Sequence, residues 1–286
     1  MNIDKFHPLI ESALREDIGR KDITTETITP NSEVEAVIVA KEDGVIAGLD
    51  IAHATFHHIA ETTEFKRLVK DGDKIYRNQI VVWLRGKAKN ILVAERTALN
   101  FLNHLSGIAT LTSKYVELTK PYNCKILDTR KTTPCLRELE KYAVRMGGGE
   151  NHRFQLDDMV LIKDNHLKLS SSPTKITDLV ALAKRKFPEK VLVEVEVNSV
   201  EEAQEAYQAG ADIIMLDNMS VEEIRRVVEE IKGKGLDSYQ AVPILEASGG
   251  INLLNVAEVA STGVDWISIG EITHSAPALN TSLEIV

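Results

Sequence analysis

Apolar and polar positions follow two different patterns along the chain. In the first part, short and largely apolar runs, such as Val34–Val39 and Ile80–Leu84, accompany helical stretches around Leu9–Leu14 and after Asp50. This mixture predicts an α+β unit of short strands. The longer segment 94–119 repeats apolar residues at helical spacing and predicts one long helix.

Local composition gives further expectations for the connections between elements. Gly44–Leu49 is expected to be a strand that forms a hairpin with the strand before it, through a tight turn at residues 42–44. The polar segment Asp17–Thr25 is expected to be a turn-rich connection. Pro134 suits the first turn of a helix, where its missing N–H costs nothing. Lys163–His166 is expected to be the exit loop of a strand.

Beyond residue 119 apolar strands and amphipathic helices alternate about six times. The strands are expected at residues 124–127, 159–162, 191–197, 212–216, 242–245 and 266–269. Ser199 with Glu202, and Ser220 with Glu223, match the capping box that begins a helix. Crossovers of this length imply parallel strands, and the count favours a closed or nearly closed α/β barrel. A doubly wound open sheet is the alternative, but no glycine fingerprint follows its first strand.

The stretch 127–167 places basic side chains after two consecutive strands. Arg130 and Lys131 follow the first strand, Lys163 follows the second, and Arg153 lies in the loop before it. Polar residues at such positions lie on the face where barrel enzymes build their sites. A guanidinium offers a planar fork to a carboxylate, and an ammonium offers a mobile charge. These residues predict a site for an anion with more than one carboxylate or phosphate.

The later strand ends carry acids and glycines. Glu194 and Glu196 are two apart on one strand and share a face, where a carboxylate needs a cation, a metal or hydroxyl groups; salt bridges with barrel lysines are the alternative. Asp217 ends the next strand. Ser248–Gly250 and Gly270 offer unobstructed backbone N–H groups for a phosphate, or else form tight structural turns.

Composition narrows the class of protein. The 286 residues include 34 basic and 43 acidic side chains, a net charge of -9 that argues against a nucleic-acid binder. Cys124 and Cys135 lack metal spacing and are expected to be free thiols. His53 and His57 would share a helical turn, but no third metal ligand is evident. The chain shows no signal peptide and no apolar run of about 18 residues, so a cytoplasmic protein without membrane contact is expected.

The run LDTRKTTPCLRELEKYAVRMGGGENHRFQLDDMVLIKDNHL, residues 127–167, resembles the hallmark motif of the quinolinate phosphoribosyltransferase family almost without departure. LREDIGRKDITT at 14–25, EASGG at 246–250 and IGEITHS at 269–275 extend the resemblance over nearly the whole chain. It implies an α/β barrel with fewer than eight strands plus an N-terminal α+β sandwich domain. The domains would span residues 1–113, rejoined by 276–286, and 114–275.

The resemblance also implies a function in de novo NAD biosynthesis. The family is a class of glycosyltransferases that convert quinolinate and phosphoribosyl pyrophosphate (PRPP) to nicotinate mononucleotide, CO2 and pyrophosphate with Mg²⁺. A homodimer, or a hexamer built as a trimer of dimers, is expected, with active sites shared between subunits.

By this resemblance the site residues have assigned roles. Those expected to bind quinolinate are Arg96, supplied by the neighbouring subunit, Arg130, His152, Arg153 and Lys163. Those expected to bind PRPP are Lys131, Glu196, Asp217, Ser248, Gly249, Gly250, Gly270 and His274. Lys131, Glu196 and Asp217 are the expected catalytic residues, and Glu196 and Asp217 are the expected Mg²⁺ ligands.

Three alternatives remain open from the sequence. A family relative could act on another acceptor, as the homologues of molybdenum operons do, although the complete basic set argues against this. A Schiff-base lyase or aldolase could use Lys131 or Lys163 at a barrel strand end. A non-catalytic binding protein for phosphorylated metabolites is the third, and a site so rich in both signs of charge exceeds its needs.

Overall fold

The computed structural model describes residues 2–169, 175–187, 191–235 and 241–286. By internal contacts the chain forms two compact units. The N-terminal unit comprises Met1–Ser113, Glu138–Gly148 and Ser275–Val286, and the barrel unit comprises Lys114–Arg137 and Gly149–His274.

The N-terminal unit is built on an antiparallel sheet. Its strands are β1 (Glu33–Ala40), β2 (Gly44–Val45), β3 (Glu64–Arg67), β4 (Lys74–Ile75), β5 (Ile80–Lys87) and β12 (Thr281–Ile285). Its helical elements are a 3-10 turn (Ile3–Phe6), α1 (His7–Ile18), α2 (Ile23–Ile28), α3 (Leu49–Ile59), α4 (Ala88–Thr119), which begins here, and α5 (Arg137–Met146). The larger sheet has the order β12-β1-β5-β3, and β2 pairs with β4.

The core of this unit is built from the apolar runs of the sequence. Ala36, Ile38 and Ala40 on β1 are fully buried, as are Val82 and Leu84 on β5. Apolar positions of α3 and α4 join the same cluster. Burial of each large aliphatic side chain contributes about 1.5 to 3 kcal/mol relative to exposure. The apolar runs therefore identified these two strands, and β1 is buried on both faces from Ala36 to Ala40.

Several local expectations for this unit are wrong. β1 pairs with β5 and β12, so it forms no hairpin with the following segment. Only Gly44–Val45 is strand, because the next backbone groups bond elsewhere: Ala47 N–H donates to Ser106 Oγ on α4, 3.0 Å away. The polar segment near residue 22 contains α2, because the Asp22 carboxylate accepts the Thr25 N–H and caps it.

The barrel unit holds six parallel strands. They are β6 (Lys125–Leu127), β7 (Val160–Ile162), β8 (Val193–Val197), β9 (Ile213–Asp217), β10 (Ile244–Ser248) and β11 (Trp266–Ser268). Its helices are α6 (Asp164–Leu169), α7 (Ile176–Lys186), α8 (Val200–Gln208), α9 (Val221–Gly235), α10 (Val256–Ser261) and α11 (Glu271–His274).

The strand order distinguishes a barrel from an open sheet. The order is β6-β11-β10-β9-β8-β7, with every neighbouring pair parallel. The first strand of the series thus pairs with the last, and a bridge between Leu127 and Glu150 adds a further contact beside β6. This order contradicts a doubly wound sheet and confirms the α/β barrel of fewer than eight strands. All six carboxyl ends lie at one rim.

Among the helices that follow the barrel strands along the chain, two differ from expectation, α5 and α6, and two expected helix starts are confirmed. α5 begins at Arg137 rather than at Pro134. Cys135 has a left-handed φ of 66°, which is not helical, so the helix can begin only after it. The segment after β7 is helix α6 rather than a loop. Ser199 and Ser220 do cap their helices, accepting the N–H of Glu202 and Glu223.

No helix among the described residues combines the length and the hydropathy needed to cross a membrane. His53 on α3 takes part in packing, whereas His57 and His58 are exposed. The rings of His53 and Phe65 lie 4.8 Å apart, and burial lowers the pKa of His53. His53 and His57 belong to no cluster of three potential metal ligands within the described part of the chain.

Candidate active site

A pocket of about 570 Å³ opens within the barrel unit at the carboxyl ends of the strands. Its size is typical of small-molecule sites. The residues that line it are Thr129, Arg130, Lys131, His152, Arg153, Leu161, Lys163, Glu196, Met215, Asp217, Asn218, Ser248, Gly249, Gly250 and Ser268. We call the side formed by Arg130, Arg153 and Lys163 the cationic half, and the side formed by Asn218 and Ser248–Gly250 the glycine half.

The cationic half presents nitrogen donors that the protein leaves partly unused. Arg130 Nε is buried and has no hydrogen-bond partner among the described residues. Arg153 donates from one guanidinium nitrogen to Met159 O at 3.2 Å. Burial, followed by the nearby charge of Arg130, lowers the pKa of Arg153. Two guanidinium groups held this close, one with an unpaired buried donor, favour the binding of an anion between them.

The loop that carries Arg153 is anchored by its own neighbours. The buried Asp128 carboxylate, directly after β6, accepts the His152 N–H at 3.0 Å and an Asn151 amide N–H at 2.5 Å. The next amide, the Arg153 N–H, donates to Nδ1 of the His152 ring at 2.9 Å. Two successive backbone donors therefore have fixed acceptors, and both contacts orient the Arg153 side chain toward the pocket wall.

Two buried acids face the other nitrogen of the His152 ring. Glu194 on β8 and Glu246 on β10 are both 0% exposed. His152 Nε2 lies 3.2 Å from Glu194 Oε2 and 3.4 Å from Glu246 Oε2. Neither Glu246 oxygen has a well-oriented hydrogen bond within the described residues.

The acids change the protonation of this cluster. Burial opposes a charged His152, but its hydrogen bonds with Glu194 and then Glu246 outweigh burial and raise the pKa of His152 to about 10. Burial also raises the pKa of Glu194. The cluster thus retains one proton more than a neutral imidazole and two carboxylates. Because the Nδ1 lone pair accepts the Arg153 N–H, the ring carries its own proton on Nε2, and the additional proton lies on a glutamate carboxyl group.

Glu196 joins the two halves of the pocket. Its Oε2 accepts a hydrogen bond from Lys163 Nζ at 2.6 Å, so the salt bridge considered from sequence is present. Asp217, at the end of β9, accepts a hydrogen bond from the Asn218 side chain at 2.8 Å. Both acids keep oxygen atoms on the pocket wall.

Backbone conformation shapes the glycine half. Gly249 has φ of +85°, and a Cβ at this position would lie 2.5 Å from Asn218 Oδ1. Asn218 itself has φ of 56°, and its N–H donates to Ser248 O at 2.9 Å. Only glycine fits the left-handed conformation beside such a close neighbour. The turn therefore presents bare backbone to the pocket, as phosphate sites require.

Gly270 lies next to Lys131 rather than in the pocket wall. A Cβ on Gly270 would lie 3.1 Å from His274 Nε2 and 3.1 Å from Lys131 Cδ. Thr273 also donates its hydroxyl to Lys131 O at 2.8 Å. The start of α11 thus holds Lys131, which lies in the loop after β6.

The structure brings most of the predicted site residues together. Ten of them line the pocket, namely Arg130, Lys131, His152, Arg153, Lys163, Glu196, Asp217, Ser248, Gly249 and Gly250. Gly270 lies beside both Lys131 and His274. Arg96 lies on α4 in the N-terminal unit, with an exposed side chain.

Sequence reasoning missed several polar residues of this site. Thr129, Asn218 and Ser268 line the pocket, and Ser268 Oγ is buried without a partner among the described residues. Asp128 and Glu246 act beneath it. Asp128, Asn218 and Ser268 directly follow, or end, an apolar strand, so the rule that selected Arg130 and Asp217 could have found them, whereas Glu246 lies within β10.

The donor set suits a hard divalent cation. Glu196 and Asp217 both present carboxylate oxygens to the pocket, and Mg²⁺ uses one or two carboxylates together with substrate phosphates and water. The glycine half beside Asp217 is where a phosphate would lie. These residues fit Mg²⁺ held jointly by the protein and a phosphorylated substrate.

Comparisons with known proteins agree with this geometry. The family model for the C-terminal domain of quinolinate phosphoribosyl transferase matches residues 108–284, and the model for its N-terminal domain matches residues 22–106. A probable nicotinate-nucleotide pyrophosphorylase [carboxylating] from Synechocystis is 41% identical over 281 residues, covering 98% of this chain and 92% of that protein.

Solved structures show the same likeness. The nicotinate-nucleotide pyrophosphorylase from Francisella tularensis superposes with a TM-score of 0.91 at 38% identity, covering 100% of this chain and 98% of that one. NadC from Streptococcus pyogenes also gives 0.91, at 39% identity, covering 100% and 99%. With both domain models matched along the chain, this protein belongs to the quinolinate phosphoribosyl transferase family.

Proposed function

We propose that this chain catalyses the transfer of a phosphoribosyl group from PRPP to quinolinate, giving nicotinate mononucleotide, CO2 and pyrophosphate. The observation that carries the proposal is the division of one pocket into a cationic half and a glycine half with two carboxylates between them. An aromatic dicarboxylate matches the first half, and a sugar phosphate matches the second. The family relationship makes this pair of substrates the natural one.

Two bond changes make up the reaction. The lone pair of the quinolinate nitrogen forms a bond to C1 of the ribose as the C1–O bond breaks, and its electron pair leaves with pyrophosphate. The bond from ring carbon 2 to its carboxylate then breaks and releases CO2. The pyridinium nitrogen stabilises the electron pair left on that carbon, which takes up a proton from solvent. No protein nucleophile is needed, so positioning and charge stabilisation supply the acceleration.

The site residues have separate tasks in this scheme. Arg130, Arg153 and Lys163 hold the two carboxylates of quinolinate, and His152 completes that wall. Ser248–Gly250 binds the 5-phosphate through backbone N–H groups, and the other PRPP residues are Lys131, Glu196, Asp217, Gly270 and His274.

Glu196 and Asp217 would hold Mg²⁺ together with the substrate phosphates. When bound, Mg²⁺ neutralises charge on the departing pyrophosphate. The two carboxylates are also within the pocket to accept hydrogen bonds from ribose hydroxyls.

The assembly and the compartment are part of the proposal. The exposed Arg96 on α4 would complete the cationic half of a neighbouring subunit in a homodimer, or in a hexamer of three such dimers. A cytoplasmic location suits the acidic composition and the two free thiols, Cys124 and Cys135.

The lysine chemistry of an aldolase or lyase has less support. A Schiff-base lysine works as a neutral amine in an apolar pocket. Lys163 instead holds Glu196 at 2.6 Å, and Lys131 is exposed. Borohydride trapping with carbonyl substrates should therefore leave the protein unlabelled.

The proposed function is tested by supplying quinolinate, PRPP and Mg²⁺ and following nicotinate mononucleotide and CO2. We expect both products in equal amounts, and none when nicotinate replaces quinolinate. Product from nicotinate but none from quinolinate would overturn the proposal.

A further inference from the structure

The cluster of His152, Glu194 and Glu246 lies beneath the cationic half and has no role in the scheme above beyond His152 itself. One ligand-capable atom from each residue lies within 4.8 Å of the other two. Both glutamates are fully buried, where an unpaired carboxylate is costly. Such a cost persists in a fold only when the group is held for a purpose or satisfied by a ligand.

A bound transition metal is one way to satisfy these oxygens, but the ring contradicts it. Nε2 could bind a metal only after losing its proton, and the remaining ring proton would then lie on Nδ1. Nδ1 already faces the Arg153 N–H at 2.9 Å, so two donors would oppose each other. The arrangement instead requires a proton on Nε2, which points to the two carboxylates.

The ring therefore connects the buried acids to the substrate-binding arginine. One ring nitrogen is turned toward Glu194 and Glu246, from two different strands. The opposite nitrogen accepts the backbone N–H of Arg153. Rotation of the ring would break contacts on both sides, so the acids fix the ring and the ring fixes the Arg153 backbone.

We propose that Glu246 is a positioning residue for the acceptor substrate: with Glu194 it holds the His152 ring so that Nδ1 receives the Arg153 N–H, and this places the Arg153 guanidinium. The inference rests on the proposed function for the identity of the acceptor. It adds to that function a residue that touches no substrate and acts through two others.

Two substitutions separate this role from simple packing. Glu246→Leu removes both acceptor oxygens and keeps similar volume. Glu246→Gln keeps an acceptor for Nε2–H and adds an N–H that can donate to Glu194. We expect the leucine variant to raise the Kd of quinolinate about tenfold, the usual scale for a lost buried acceptor, and the glutamine variant to stay within about threefold of wild type. Glu246→Ala replaces the leucine variant if leucine does not fit.

The matched control is Glu258→Leu, which removes an exposed carboxylate from α10. It should change neither the Kd of quinolinate nor the Kd of PRPP. The affinity for PRPP should stay within about twofold of wild type in every variant: Ser248–Gly250 follows Glu246 on β10, but its turn is shaped by contacts with Asn218, whereas Glu246 acts on the His152 ring. A His152→Ala background should abolish most of the effect of Glu246→Leu, since Glu246 acts through that ring.

A second measurement needs no substrate. Hydrogen exchange of the peptide that contains residues 150–154 should be faster in Glu246→Leu than in Glu246→Gln or wild type. Wild-type product formation tests the proposed function separately, because the exchange result holds whichever acceptor is used.

Four results would overturn the positioning role. They are equal loss of affinity for both substrates, full additivity with His152→Ala, unchanged exchange in Glu246→Leu, and one equivalent of a transition metal per wild-type chain that Glu246→Gln releases. Specific loss of quinolinate affinity, rescued by glutamine, supports it.

Discussion

The cationic half and the glycine half of the pocket fix their polar groups by different means. In the cationic half long charged side chains are held by a second set of groups, as Asp128 and His152 hold the backbone at Arg153. In the glycine half the binding groups are backbone, and left-handed residues such as Gly249 set their direction. The cationic half should therefore respond most to loss of a charge or of the groups that hold its backbone, whereas the glycine half should respond most to strain in its own backbone.

The two acids between the halves should show the largest effect. Glu196→Ala or Asp217→Ala should lower kcat about a hundredfold or more, the scale seen when a charge-stabilising group is removed. Quinolinate binding to the free enzyme should change little with Asp217→Ala, because the Asp217 carboxylate accepts a hydrogen bond from Asn218, on the side of the glycine half. Steady-state kinetics over a range of Mg²⁺ concentrations measures this.

Glu229→Ala, which removes an exposed acid on α9, is the control for lost charge. If both variants keep wild-type turnover and the same Mg²⁺ requirement, the two carboxylates are only structural.

Removal of the Arg153 guanidinium should have the next largest effect. Arg153→Ala removes a charge-assisted contact of about 1.5 to 3 kcal/mol and should raise the KM for quinolinate by one to two decades. Arg226→Ala, which removes the same charge from a helix surface, should leave KM unchanged. A KM for quinolinate that does not move would show that Arg153 does not bind it.

Backbone strain in the glycine half should have a smaller effect, and it should change the KM for PRPP rather than the KM for quinolinate. Gly249→Ala places a Cβ 2.5 Å from Asn218 Oδ1 at φ of +85°, which costs about 1 to 2 kcal/mol and should raise the KM for PRPP about tenfold. Gly210→Ala has a similar φ of +79° but more open space around its Cβ.

The Gly210 variant should lose a similar amount of stability in thermal unfolding, yet keep the wild-type KM for PRPP. Equal effects of both alanines on that KM would mean that strain alone, and not the shape of the phosphate loop, explains the change.

Mixing two variant chains tests whether subunits share active sites, and the recovery of activity is the smallest effect that we expect. At a quinolinate concentration near or below the wild-type KM, Arg96→Ala and Arg153→Ala chains should each be nearly inactive, but random exchange puts about half of all dimers in the mixed form, with one intact site each. Activity should then recover to roughly a quarter of wild type. Native mass spectrometry verifies the exchange. Mixing that restores no activity would place Arg96 within its own site or outside the reaction.

The sequence predicted the basic side chains of the pocket better than the buried groups that hold them in place. Arg130, Lys131 and Lys163 were found because charge after an apolar strand is visible in one dimension. Glu246 was not, because its role depends on a contact with His152 that joins residues far apart in the chain. Register between β8 and β10, which brings the two acids to one ring, cannot be deduced from periodicity.

Local conformation explains the errors in the fold. The strand expected at Gly44–Leu49 has suitable residues, but its backbone groups bond to hydroxyls of α4 instead of to a strand. Pro134 suits a helix start, but the left-handed Cys135 delays it. In both cases a tertiary contact or a single dihedral angle overrides propensity. Long periodic segments such as α4 and the six barrel strands were found because many residues contribute to each.

The central claim is that each half of the pocket binds a different substrate, and calorimetry of two variants with two ligands tests it most directly. Arg153→Ala should weaken quinolinate by one to two decades and leave PRPP within about twofold, whereas Gly249→Ala should weaken PRPP about tenfold and leave quinolinate nearly unchanged. If each variant weakens both ligands to the same extent, the two halves do not bind separate substrates and the division is wrong.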